Sequence, residues 1–177
     1  MNNHNNRYPY NKKTTMNNPD LNNGHGMNPS KPVNMPKVQF TRFKDYGPQP
    51  FVVNIEEVTK RNNTFRTALW TGNHLQLTLM SINVREYIGL EVHPDLDQFI
   101  RIEEGQGFVM MGDRKDYLYF QKNVHADDAI IIPAGKWHNL INTGQTPLKL
   151  YSIYAPPQHP WGTIHETKAV AEASEAD

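Results

Sequence analysis

The 177-residue chain contains no cysteine. That excludes a disulfide scaffold, a thiolate zinc site and a cysteine nucleophile, and it leaves the redox compartment open. Long hydrophobic runs are missing as well. The longest aliphatic stretch, Ala129-Ile130-Ile131-Ile132, is far too short to span a bilayer. The opening residues, MNNHNNRYPYNKK, hold no apolar segment of the kind a secretory signal needs. A soluble, cytoplasmic protein with no membrane partner is the expectation. Net charge is also absent, because 18 Lys and Arg balance 18 Asp and Glu. A balanced chain has no field with which to gather polyanions, so nucleic acid is not expected as a partner.

The balance conceals an uneven distribution. Residues 1–36 carry eleven Asn and five Pro but no Ile, Phe or Trp. Arg7, Lys12, Lys13 and Lys31 against Asp20 make this segment about +3 and the remainder about −3. So little apolar surface cannot offset the entropy of ordering, and 1–36 is expected to be a disordered Asn-rich arm. His4 and His25 within it are expected to be solvated. A folded body is expected over 37–165, and an Ala- and Glu-rich tail over 166–177, helical or disordered.

The body is punctuated like an all-β protein. Asn54-Ile55-Glu56-Glu57 has the form of a capping box and predicts a helix of about two turns. Strand-like runs then follow at 65–70, 75–84, 88–93, 97–103, 107–111, 116–121, 128–132, 137–142 and 147–154. Turn signals such as Thr71-Gly72-Asn73, Gly112-Asp113 and Pro133-Ala134-Gly135 separate them. Short strands at a spacing of about 8–12 residues read as a sandwich or barrel, and no helical period interrupts them. Gly105-Gln106-Gly107 is a turn and not a phosphate cradle, because no helix follows it.

Polar residues at positions that alternation should bury are the informative ones. Glu91 and His93 are two apart, so in an extended chain they share a face. After the turn Pro94-Asp95-Leu96-Asp97, Gln98 shares a face with Ile100 and Ile102. His138 follows the turn Pro133-Ala134-Gly135, and Asn142 lies four residues further on. Asp95 and Asp97 read as turn formers. His125 reads as a solvated loop residue and Trp137 as packing or as part of a pocket mouth. His74, His159 and His165 carry no spacing signal. The inward parity of the last strand, with Tyr151 and Ile153, stays open.

These spacings resemble the two motifs of the cupins. The first motif has Gly, five residues, His-x-His, three or four residues, Glu, six residues and Gly. Here Glu91, His93, Gln98 and Gly105 keep that spacing, with Glu in the first His position and Gln in the Glu position. The second has Gly, five residues, Pro-x-Gly-x-x-His, three residues and Asn, matched by Pro133, Gly135, His138 and Asn142. Arg85 and Asp127 stand where the family usually has glycine.

The resemblance implies an all-β, double-stranded β-helix (jelly-roll) barrel. It also implies a divalent metal (Fe, Mn, Ni or Zn) held by Glu91, His93, Gln98 and His138. Two imidazoles and a carboxylate suit such ions, whereas a Gln amide is a weaker donor than Glu. The small mannose-6-phosphate-isomerase-like cupins are the nearest type. They imply isomerase-like or dioxygenase-type chemistry on a small oxygenated metabolite, with no general base nameable among Asp95, His125 and the tyrosines. A homodimer is implied too, in which residues 37–53 are a candidate for strand exchange. The alternative is a non-enzymatic ligand-binding or assembly cupin. An enzyme should keep a polar interior with a titratable group beside the metal, and a structural barrel should be filled with apolar side chains.

Overall fold

The computed structural model describes residues 43–175. The disorder expected for 1–36 falls outside this range. Asn54 caps the first helix, α1 (Ile55–Arg61), its side chain accepting from the Glu57 amide at 3.2 Å. The reciprocal half of the capping box is not made, because Glu57 pairs with Arg61 at 3.2 Å instead.

Nine strands follow among the described residues: β1 (Arg66–Thr71), β2 (Gln76–Ile82), β3 (Asp97–Glu104), β4 (Gln106–Gly112), β5 (Phe120–His125), β6 (Ala129–Ile132), β7 (Trp137–Asn142), β8 (Leu148–Ala155) and β9 (Ile164–His165). They form a six-stranded sheet in the order β6-β3-β8-β2-β1-β9 and a three-stranded sheet in the order β5-β4-β7. All the pairings are antiparallel. The expected double-stranded β-helix is the fold found.

Two expected strands differ. Residues 88–93 make only an isolated bridge from Glu91 to His138, because their backbone is committed to holding two loops together. The run at 116–121 begins pairing at Phe120, and Tyr117 and Tyr119 stay more than half exposed on a loop, so the aromatic signal there marks surface.

Register decides which side chains are inside. Gln76, Tyr154, Gln98 and Ile132 are paired across β2, β8, β3 and β6, so they form one inward row. Thr78, Ser152, Ile100 and Ile130 form the next, followed by Met80, Leu150 and Ile102. The interior therefore grades from polar at one end to apolar at the other, where Met80, Ile102, Val109, Leu140 and Leu150 build the main core. In β8 the inward parity is that of Ser152 and Tyr154, which leaves Tyr151 and Ile153 outside. A second apolar layer covers the outer face: Val58, Leu69 and Leu79 pack with Phe43, Tyr46, Phe51 and Val53. Of the candidate strand-exchange segment 37–53, residues 37–42 lie outside the described residues, and Phe43, Tyr46, Phe51 and Val53 pack on this outer face. The final helix, α2 (Lys168–Glu175), sends Ala171 into the main core at 2% exposure.

Arg85 and Asp127 adopt left-handed backbone, with φ of 67° and 74°. The turn geometry that glycine usually supplies is thus kept without glycine. A left-handed L-residue costs about 1–2 kcal/mol, and the flexibility of glycine returns about 0.5–1 of that. Arg85→Gly is expected to raise unfolding free energy by about 0.5–1 kcal/mol, read as an upward shift of the urea midpoint. Asp127→Gly should gain less, because it gives up the 2.7 Å pair with Arg101.

Candidate metal centre

The backbone brings the site together before any side chain does. Glu91 N donates to His138 O at 3.1 Å and His138 N donates to Glu91 O at 2.9 Å. Gly135 N donates to His93 O at 2.8 Å, and Ala134 N donates to Asp97 Oδ1 at 2.9 Å. The turn before β7 is thereby fastened to the loop that carries Glu91 and His93. Gly135 makes that turn with φ of 78°, a conformation other residues adopt only with strain. Asp97 is the turn-binding residue its type suggests, acting on the neighbouring turn.

Three of the four expected residues converge. Glu91 Oε1 lies 3.2 Å from His138 Nε2 and 3.4 Å from His93 Nε2. One donor atom from each of the three lies within 4.8 Å of the others. His138 is 1% exposed and His93 8%, so both rings are shielded. Burial pushes the Glu91 carboxyl up, but the hydrogen bonds and charges of His138 and His93 outweigh it. They hold the group well below the usual carboxylate range. Gln98, 2% exposed, lies on the inner face of β3, and its Nε2 donates to Ser152 Oγ at 3.0 Å.

The donor set fits a cation. His138 Nδ1 lies 2.9 Å from the Lys136 carbonyl, which can only accept, so Nδ1 carries the hydrogen. In the neutral ring Nε2 is then a lone pair aimed at a carboxylate oxygen 3.2 Å away. Two acceptors at that distance need a proton or a metal ion between them. Gln98 Oε1 is buried with no hydrogen-bond partner, and so is His93 Nε2 apart from its approach to Glu91. Each orphaned group costs about 1–3 kcal/mol, which a shared cation would offset.

A cavity of about 480 Å³ opens onto Glu91 and His93. Its outer wall comes from the C-terminal segment, chiefly His159, Thr163, His165 and Ser174. Sequence reasoning passed over these residues, because no spacing links a chain-terminal histidine to a barrel mouth. Burial, followed by the positive charge of Arg66, pulls the His159 pKa down to about 3, so its ring is neutral. Asp95 and His125 do not line this cavity, and His125 is well exposed. Trp137 also stays outside it, on the face of β7 opposite His138. Asn142 is structural: its Nδ2 donates to Ile82 O and Thr146 O, both at 2.9 Å. A second cavity, of about 400 Å³ between β5 and β6, is lined mainly by apolar residues such as Met111, Phe120 and Ile130 and holds no imidazole. No helix among the described residues is long and apolar enough to cross a membrane.

Comparison with known proteins agrees with this architecture. The chain is 70% identical over 133 residues to the uncharacterised protein YrkC of Bacillus subtilis (strain 168), which covers 75% of this chain and 72% of that one. It is 46% identical over 118 residues to the uncharacterised protein L612 of Acanthamoeba polyphaga mimivirus, covering 66% and 71%. The crystal structure of BH2720 from Bacillus halodurans superposes with a TM-score of 0.73 at 70% identity, over 73% of this chain and 98% of that one. A Klebsiella pneumoniae protein with a double-stranded β-helix domain, 18% identical, shares the fold at a TM-score of 0.52 over 67% and 99%. Residues 78–154, which span both motifs, match the cupin domain family, and the chain belongs to the cupins.

Proposed function

We propose that the protein is a metal-dependent cupin enzyme acting on a small oxygenated molecule. Glu91, His93 and His138 hold a divalent ion (Fe, Mn, Ni or Zn), and the amide oxygen of Gln98 is the fourth donor. The observation that carries this reading is the facing pair of acceptors, His138 Nε2 and Glu91 Oε1, with the His138 tautomer set by the Lys136 carbonyl. Orientation of a ligand histidine through its other nitrogen is a common feature of metal sites. Ser152 plays the matching part for Gln98, since binding its amide nitrogen leaves the oxygen as the free end.

The graded interior supports an enzyme over a purely structural barrel. Gln76, Thr78, Gln98, Ser152 and Tyr154 are buried at the end that carries the site, where a structural barrel would be apolar. Titratable groups also lie beside the centre, because His159 and His165 share its cavity. A bound metal would supply a Lewis acid to polarise a ligand oxygen, or a centre for dioxygen. Isomerase-like chemistry follows from the first and dioxygenase-type chemistry from the second. A cytoplasmic homodimer is carried over from the family resemblance.

Elemental analysis of protein purified without chelator or affinity metal tests this reading. About one equivalent of a transition metal per chain is expected. A wild-type barrel that is empty and takes up no added metal would overturn it in favour of a binding or assembly module.

A further inference from the structure

The metal centre accounts for the inner end of the 480 Å³ cavity and leaves its outer wall unexplained. Gln76, with 0% exposure, bonds one residue of that wall through both ends of its amide, its Nε2 also donating to Thr71 Oγ1 at 2.9 Å. His159 N donates to Gln76 Oε1 at 2.9 Å, and Gln76 Nε2 donates to His159 O at 2.8 Å. Burying an amide is costly unless it is paired, and here the pairing fixes a loop residue. The side chain placed in this way packs edge-on against Tyr154 at 5.2 Å, and Tyr154 packs edge-on against His93 at 5.7 Å. His159 lines the cavity, and its Nε2 is shielded from bulk water without a hydrogen-bond partner.

The rest of the wall is rich in acceptors, and its only basic side chains are imidazoles. None of its lining residues is Lys or Arg. Thr163 Oγ1 donates its hydrogen to Pro160 O at 2.7 Å, and Ser174 Oγ donates to Ala171 O at 2.8 Å. With its hydrogen spent, the Thr163 hydroxyl can only accept, and Ser174 Oγ also shares a hydrogen bond with His165 Nε2 at 3.1 Å. Ser174 also belongs to the last turn of α2, where the helix dipole is negative. Together with the Glu91 carboxylate, this wall suits a ligand that brings O–H donors. A phosphate dianion, which brings acceptors and charge, meets no lysine or arginine on it.

We propose that the C-terminal segment 156–175 is the recognition wall of the metal site, and that it selects a small, uncharged, hydroxyl-rich molecule, a polyol or hydroxy-carbonyl compound, which His159 Nε2 hydrogen-bonds. Phosphorylated counterparts are rejected. This inference rests on the metal-centre reading, and its test keeps the two separable.

The test is calorimetric titration of the metal-loaded full chain with dihydroxyacetone, D-xylose and D-fructose, and with D-fructose 6-phosphate and inorganic phosphate. Metal content is measured on the same samples. At least one neutral probe is expected to bind about tenfold or more tighter than the phosphate compounds. His159→Ala should weaken that binding about tenfold with metal retained, the loss of one good hydrogen bond, and His159→Gln should restore most of it. The inference is overturned by equal or tighter binding of the phosphate compounds, or by no saturable binding of any neutral probe. Binding indifferent to His159→Ala, or metal loss in that variant, overturns it equally. A wild-type protein that takes up no metal counts against the metal-centre reading itself.

Discussion

His138→Ala is expected to yield a folded protein that purifies without metal, with affinity for added metal reduced at least about 100-fold. Loss of a group that only orients a ligand already costs about 10–100-fold, and His138 is itself a donor. The fold should survive, because the link between residues 91 and 138 is made by main-chain hydrogen bonds that alanine keeps. Removing a ring that is 1% exposed still leaves a cavity, so a stability loss of about 2–4 kcal/mol is expected. Glu91→Ala should lose metal equally and also lower stability, since it leaves the shielded His138 and His93 nitrogens without their carboxylate partner. Glu91→Gln separates charge from shape: it keeps the volume and should still lose most of the affinity. Elemental analysis and urea titration of the three variants check this. Metal content like that of the wild type in both alanine variants would place the ion elsewhere.

The second large effect is acid sensitivity centred on His159. Its pKa is about 3 in the folded protein, against an ordinary value of 6.5. The unfolded chain therefore binds a proton in a range where the folded chain does not. Stability from this group is full above pH about 6.5 and is lost as pH falls toward 3. Linkage makes the loss about 2 kcal/mol between pH 7 and pH 5, and about 3 kcal/mol by pH 4. Burial is the main cause, with Arg66, His165 and His93 adding repulsion and Glu91 opposing them. Urea unfolding of the metal-free protein at pH 7, 6 and 5 reads the slope, and His159→Gln should flatten it by this amount. An unchanged slope in the variant would show that His159 is not the group responsible. Glu91 behaves in the other sense. Its depressed carboxyl adds stability above the ordinary carboxylate range, and loses it only under stronger acid.

Both experiments bear on how much the linear order of residues says. The motif around Pro133, Gly135, His138 and Asn142 was legible because a turn, a buried histidine and a turn-stabilising amide occur at fixed spacing in one stretch. The same holds for Glu91, His93 and Gln98, where alternation puts chemistry on one face. The helix at 55–61 was legible from its cap, and most strands from their period and turns. Residues 116–121 misled, because aromatic side chains mark a strand only when something covers them, and Tyr117 and Tyr119 are left outside.

The sequence by itself thus determined the fold class and singled out the inner polar residues, because both arise from short-range patterns of two to eight residues. Only the tertiary structure decided the rest. Closure of the barrel sets Gln98 beside Tyr154 and Ser152, and the Lys136 carbonyl selects the tautomer of His138. A contact between Gln76 and His159, 83 residues apart, brings the C-terminal segment across the mouth. Contacts at that separation depend on where two sheets and a returning loop meet in space, and no local periodicity encodes that.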